Sequence, residues 1–255
     1  MSMELQIDFL RFSWLPADLK SIAASGGGQS VLDEFFRVFP EFHDDSLLLE
    51  HYISQKYRHY DYCLHCSSGI CIFYDGNVIS NKGVNVFLPS QGLWVIKQLF
   101  GYDDFRLFLR DIYLRGNVRF TRIDLCFDDY DYREQGHYIA EDFVRMNVEG
   151  RIVSPAKLKK GYASPADESC IITNGRSSAT FYLGSRTTSS RMLRVYDKYY
   201  ESKQKAKKYN DESLYKDCVR YEFEIGSRYA DKLIRNVWID SPSRNLYFFA
   251  FCLDS

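Results

Sequence analysis

The chain is expected to fold as α+β, with a largely antiparallel central sheet and flanking helices. Three observations carry that expectation. Strand-like runs come first, then a helix, more strands, helices, and strands again, without the strand–helix alternation of a doubly wound sheet. Residues 117–128 (Asn-Val-Arg-Phe-Thr-Arg-Ile-Asp-Leu-Cys-Phe-Asp) form the clearest strand. Residues 180–183 and 191–198 are β-prone runs around a loop of Gly184, Ser185, Arg186, Thr187, Thr188, Ser189 and Ser190, which reads as a hairpin. At 255 residues the chain can bury a core as one large domain or two small ones, and a single catalytic domain over 1–255 is expected.

In chain order, residues 5–14 are a strong opening strand. Residues 30–39 read as a short helix with Ser30 as cap, Asp33 three residues on, and Val31, Leu32, Phe35, Phe36 and Phe39 as the apolar side. Residues 57–75 alternate Tyr, Cys, Ile and Phe with polar partners, and Asp75-Gly76-Asn77 reads as a hairpin turn into a further strand. A strand at 83–88 feeds a helix at 90–100. A second helix at 103–114 has Phe105, Leu107, Phe108, Ile112 and Tyr113 on its apolar side. Residues 137–147 look helical, and 150–178 are loop-rich, with Lys157, Lys159 and Lys160. After the hairpin, 199–217 reads as a polar, lysine-rich helix exposed to solvent, 219–225 as a strand and 228–238 as an amphipathic helix. Residues 243–253 open an apolar helix (Phe248, Phe249, Phe251, Cys252) that stops without a C-cap, which suggests a longer full-length product. Ile7-Asp8-Phe9-Leu10-Arg11-Phe12 and Ile123-Asp124-Leu125-Cys126-Phe127-Asp128 look alike, which suggests a duplication with repeats of about 1–115 and 116–240.

Composition narrows the function classes. Aromatics reach 16% (20 Tyr, 19 Phe, 3 Trp); most of them belong to a core, but single-stranded nucleic acid also takes aromatic faces for stacking. A net charge of −1 argues against a generic duplex-coating protein. The charge is unevenly spread: residues 151–255 hold 19 Lys and Arg against 12 Asp and Glu, and residues 1–150 hold 14 against 22. A basic second half suits a polyanion held on one side. The seven cysteines are scattered, and Met1–Leu10 carries Glu4 and Asp8 where a secretion signal would be basic then apolar, so free thiols in a reducing cytoplasm are expected. Cys63-Leu-His-Cys66 is a lone C-x-x-C pair with no second pair to complete a zinc site. No apolar run approaches the roughly 20 residues that cross a bilayer.

Three strands repeat charge at period two, so the charges share a face. The sets are Arg122, Asp124, Cys126 and Asp128; Arg194, Tyr196 and Lys198; and Arg220, Glu222 and Glu224. If the strands are neighbours, these faces converge into a site with carboxylates, a phenol and cations. Cations beside Tyr196 would favour its phenolate, which can attack phosphorus. Carboxylate oxygens suit Mg²⁺ or Mn²⁺. Two plainer readings stand beside this one: a half-buried tyrosine with solvating neighbours, and an ion-pair ladder between strands.

Arg122-Ile-Asp124, Gly184-Ser-Arg186 leading to Arg194-Val-Tyr196-Asp-Lys198, and Arg220-Tyr-Glu222-Phe-Glu224 resemble the successive motifs of the replication initiation factor family (the Rep_trans group). That family holds rolling-circle initiators of plasmids, replication proteins of filamentous phages and relaxases of integrative conjugative elements. The resemblance runs from about residue 5 to about residue 235 and is strongest at 191–201. It implies Tyr196 as nucleophile with Arg194 and Lys198 on its phosphate side, and Asp124 and Glu222, with Glu224 less firmly, as ligands of a divalent metal, Mg or Mn. Arg186 with Ser185 and Ser189 would grip phosphates beside the cut, and Arg122, Arg191 and Arg220 complete the expected DNA-binding set. The implied activity is nicking and rejoining of origin DNA, single-stranded or cruciform, through a 5′-phosphotyrosyl intermediate and a free 3′-hydroxyl. Host helicase and DNA polymerase are the implied partners, no membrane is expected, and monomer and homodimer both stay open. The lysine-rich insert after Glu201 departs from the family pattern. A non-catalytic origin-binding module, a conjugative relaxase and a nuclease that uses water remain alternatives. The chain lacks the His-apolar-His pair of HUH endonucleases and the His-x-x-Arg of tyrosine recombinases.

Overall fold

A computed structural model describes residues 6–43, 47, 49–53, 60–75, 83–101, 105–136, 138–152, 160–163, 180–184, 190–214 and 216–239. The chain divides into two compact units, one of residues 8–123 and 226–255, the other of residues 1–7 and 124–225. The expected α+β class, with a large antiparallel sheet, is what the structure has.

The first unit holds strands β1 (Gln6–Trp14), β2 (Glu50–Ile53), β3 (Tyr62–His65), β4 (Cys71–Tyr74) and β5 (Val84–Pro89). Their hydrogen-bonded order is β2-β3-β4-β5-β1, followed by the start of β6 (Val118–Asp129), whose residues are divided between the units. Alternation sets the inward face: Leu10, Phe12 and Trp14 on β1, and Val84, Val86 and Leu88 on β5, are all buried. Helix α1 (Leu19–Val38) adds Phe35, which packs on Trp14, Phe39 and Phe42 with ring centroids 4.9–5.8 Å apart. Helices α2 (Ser90–Phe100) and α3 (Phe105–Leu114) bury Leu93 with Ile96 and Phe108 with Ile112, at helical spacing. The buried Glu41 meets Arg115 at 2.6 Å, so the charge inside this unit is paired.

The second unit continues from the end of β6 in the order β6-β10-β9-β8-β7, with β7 Lys160–Ala163, β8 Thr180–Leu183, β9 Arg191–Asp197 and β10 Val219–Gly226. Helices α4 (Tyr132–Gln135), α5 (Ala140–Val148) and α6 (Lys198–Tyr209) belong to it. Tyr132, Ala140, Phe181, Val195 and Val219 form its apolar core, with Phe143 stacked on Phe181 at 5.4 Å. Helix α7 (Ser227–Leu233) and the π-turn Ile234–Ile239 return the chain to the first unit.

The structure corrects several expectations. The apolar helix expected over 30–39 is present, and a second helical segment from Leu19 precedes it across a break at Gly26 and Gly27, where Gly27 adopts φ 69° and ψ −149°, a conformation closed to side chains with a Cβ. Strands β2 and β7 and the one-turn helix α4 are additions; β7 interrupts the stretch read as loop. The lysine-rich helix ends at Tyr209 because Asn210 turns left-handed (φ 49°). The turn at 76–77 and the apolar stretch 243–253 lie outside the described residues.

Candidate active site

Strands β8, β9 and β10 place the second unit's charged side chains in register. Arg194 lies opposite Glu222, Tyr196 opposite Arg220 and Met192 opposite Glu224, while Tyr182 and Thr180 of β8 face Arg194 and Tyr196. Directly opposed residues share a face, so Arg194, Tyr196, Arg220, Glu222 and Glu224 look one way. Val195, Tyr221 and Phe223 look the other way.

Strand β6 joins that arrangement through two contacts. Phe127 stacks on Tyr221 at 4.6 Å, and Asp128 binds Arg220. Rising numbers on β6 meet falling numbers on β10, so the pair runs antiparallel. Counting in twos from Asp128 puts Cys126 and Asp124 on the same side of β6 as Asp128. Asp124 and Glu222 are 2% and 1% exposed, a degree of burial that charged groups tolerate only with partners or ligands.

Glu222 is the hub. Its Oε1 forms an ion pair with Arg194, and its Oε2 accepts a hydrogen bond from the Tyr196 hydroxyl at 3.3 Å. The Arg194 Nε is buried and finds no hydrogen-bond partner among the described residues. Arg220 is 3% exposed and grips Asp128 with two parallel bonds, Nε to Oδ1 at 2.5 Å and Nη2 to Oδ2 at 2.7 Å. That fork geometry is the strong form of an ion pair. Although burial opposes ionisation of Asp128, Arg220 together with Lys198 and Lys216 keeps its carboxyl below the usual aspartate range.

Two expectations change at this point. The cations beside Tyr196 do not make its phenol acidic. Burial, then the charge of Glu222, raise its pKa well above the ordinary phenol value; Glu201 adds to that rise, and Arg220 and Arg194 offset only part of it. Lys198 is the first residue of helix α6 and no longer part of the strand, though its backbone still lies opposite Cys218. Strand β9 ends at Asp197, whose carboxylate caps α6 by accepting the Tyr199 N–H at 2.7 Å. The Lys198 N–H donates to the Cys218 carbonyl at 2.9 Å, and its positive charge acts on Asp128 and Glu201.

Of the other residues singled out in the sequence, Arg122 belongs to the first unit, where its guanidinium lies 4.7 Å over the Phe9 ring. Arg191 opens β9 opposite Ile225. Gly184 closes β8 with φ 107°, where a Cβ would come within 2.6 Å of the Arg191 carbonyl oxygen, so the hairpin requires glycine there. Ser185, Arg186 and Ser189 lie outside the described residues. Sequence reasoning missed Glu201 as a charge acting on Tyr196; its position five residues on, in the first turn of the following helix, was the available signal. It also left Asp128 out of the site, although the period-two pattern had put it on the right face.

Among the described residues no three His, Cys, Asp or Glu side chains already form a metal-binding cluster. The acids of β6 and β10 still suit a hard cation in donor type, and two of them are nearly fully buried on one face. Glu222 would have to exchange Arg194 for the ion.

A model of the replication initiation factor family matches residues 118–251, just over half of the chain and all of the face described above. The chain belongs to the replication initiation factor family. Among solved structures, the rolling circle replication initiator protein from Geobacillus stearothermophilus is similar in fold. The TM-score is 0.62 at 16% identity, with 94% of this chain and 80% of that one covered. None of the curated proteins compared matches the chain. Among the described residues, no helix of this initiation factor is long and apolar enough to cross a membrane.

Proposed function

We propose that this initiation factor nicks one strand of a replication origin with Tyr196 as the nucleophile and later rejoins it. The observation that carries the reading is the chain of contacts Tyr196–Glu222–Arg194 on one sheet face, with a proton acceptor on the phenol and a cation behind the acceptor. Because burial holds the proton on Tyr196, attack requires that the proton leave as the bond to phosphorus forms. Glu222 Oε2 already accepts that hydrogen bond and is the natural recipient. Tyr196 Oη then bonds to phosphorus, the bond from phosphorus to the 3′ oxygen breaks, and that oxygen departs, with a proton, as a free 3′-hydroxyl. The product is a 5′-phosphotyrosyl enzyme whose ester bond is kept for the reverse step. The buried, unpartnered Arg194 Nε is a donor suited to a phosphate oxygen. A tyrosine on a sheet reaches a backbone phosphate only when the strand is extruded or melted, so the substrate is single-stranded or cruciform origin DNA.

A divalent ion, Mg or Mn, is part of the proposal. Asp124, Glu222 and Glu224 would hold it, and when bound it supplies neutralisation of the charge on the non-bridging phosphate oxygens. A host polymerase extending the 3′ end, and a helicase opening the duplex ahead of it, are the partners such a product calls for.

The test is incubation of the full chain with end-labelled single-stranded origin DNA and Mg²⁺ or Mn²⁺, followed by denaturing electrophoresis. A slow band carrying both protein and label, absent from Tyr196→Phe, is the expected result. Cleavage without that band would make Tyr196 structural and the protein a nuclease that uses water. Binding without cleavage would make it a DNA-binding module.

A further inference from the structure

Helix α6 takes no part in the chemistry just described, yet it begins two residues after Tyr196. Its inward side is Ser202 and Ala206, 4% and 5% exposed. Ser202 Oγ fixes the helix to the segment before β10, accepting the Lys216 N–H and donating to the Lys216 carbonyl, both at 2.9 Å. Lys203, Gln204, Lys205, Lys207, Lys208 and Tyr209 are left exposed. Lys205 pairs with Glu201 one turn back at 2.5 Å, Lys203 donates to the Tyr199 hydroxyl, and Lys208 lies over the Tyr209 ring. The helix holds five lysines against one glutamate, in a chain whose net charge is −1.

A basic helix face is most often merely solvated. Two features set this one apart. Five lysines against one glutamate give it +4 in a chain of −1, so it is a basic segment on an otherwise acidic chain. Its first turn lies beside the site, opening two residues after Tyr196 with Glu201 acting on both Tyr196 and Arg220. Twelve residues rise about 18 Å, with Lys203 and Lys207 about 6 Å apart on one side. A duplex advances about 3.4 Å per base pair, so the roughly 7.5 Å from Lys203 to Lys208 matches two or three successive phosphates. A lipid surface would need an apolar face as well, and the inward side of this helix is already packed.

We propose that the exposed face of α6, through Lys203, Lys207 and Lys208, holds the phosphate backbone of the duplex that flanks the nicked strand. The location rests on the nicking reading; the duplex preference can be tested without it. The probes are a fluorescein-labelled duplex of arbitrary sequence and a matching single strand, each about 20 nucleotides long, titrated with the full chain at several KCl concentrations. The triple variant Lys203→Gln, Lys207→Gln, Lys208→Gln should lower the slope of log K against log salt by about 2–3 on the duplex, at about 0.9 per lost phosphate contact. The single-strand slope should stay, and the triple arginine variant should restore the duplex slope. An unchanged duplex slope overturns the proposal, as does an equal loss on both probes. Phosphatidylserine vesicles that bind wild type and not the variant, with the duplex slope unchanged, would assign the face to a membrane. In the covalent-adduct assay on single-stranded DNA the triple variant should match wild type. Failure of both proteins there would remove the nicking reading and leave the salt slopes to judge the helix.

Discussion

In residues 8–123 the deepest large side chains are Phe12, Phe35, Phe39, Phe42, Phe108 and Phe120, all at 0% exposure, and the buried Glu41 is held by Arg115. In residues 124–225 the sheet buries Asp124, Asp129, Arg220 and Glu222 beside a smaller apolar core. Aromatic burial stabilises through area and packing. An ion pair in the same place loses hydration that its mutual attraction barely returns. A sheet that needed only stability would carry the first kind of residue on both faces. The second unit packs aromatics on one face, with Phe127 stacked on Tyr221 and Phe143 on Phe181 and with Asp129 as a buried charge beside them, and gathers Arg194, Tyr196, Arg220 and Glu222 on the other. The contrast separates residues that make the fold from residues that the fold exists to position.

Substitutions can break that contrast or sharpen it. The largest effect is expected from Phe35→Ala, which opens a cavity among Trp14, Phe39 and Phe42 and should cost about 3–5 kcal/mol in urea unfolding at any pH where the chain folds. Arg220→Ala should come close at neutral pH, at about 3–5 kcal/mol, because it strands the Asp128 carboxylate in the interior. Unlike the first, this cost should depend on pH. The Asp128 carboxyl is held below its reference value of 3.8, so the pair contributes stability above that pH and loses it as pH falls through the lower folded value. Wild type and Arg220→Ala should therefore converge in strongly acid solution, while wild type and Phe35→Ala stay apart. Convergence in neither case would mean that Arg220 acts through packing, as phenylalanine does. The smallest change in stability belongs to Tyr196→Phe. It removes one long hydrogen bond to Glu222 and should cost about 0.5–1.5 kcal/mol, with adduct formation abolished.

The same contrast explains what the sequence could tell. Elements written in apolar periodicity were legible: β1, β5, α2, α3, β6 and β10 lie within a residue or two of where alternation or helical spacing puts them. The short helical segment from Leu19 was not legible, because the break at Gly26 and Gly27 leaves it too few residues to show a helical period. Strand β7 is four residues with a glycine, too short to show a period. At the site, period two placed Tyr196, Arg194, Glu222 and Asp128 on one face, but spacing cannot say which cation takes which acid. The pairing of Arg194 with Glu222 and of Arg220 with Asp128 follows from cross-strand register, which is a tertiary property. Nor could it give the state of the phenol, which depends on burial more than on its neighbours' sign.

The central claim is that the hydroxyl of Tyr196, and no other nucleophile, takes the phosphate. Trapping the protein–DNA adduct, digesting it with protease and nuclease, and mapping the residual nucleotide by mass spectrometry tests that claim directly. A nucleotide phosphate on the peptide containing Tyr196, with fragment ions placing it on Tyr196 itself and not on Tyr199 or Tyr200, is the predicted result. The same mass shift on any other residue, or an adduct that persists in Tyr196→Phe, would contradict it.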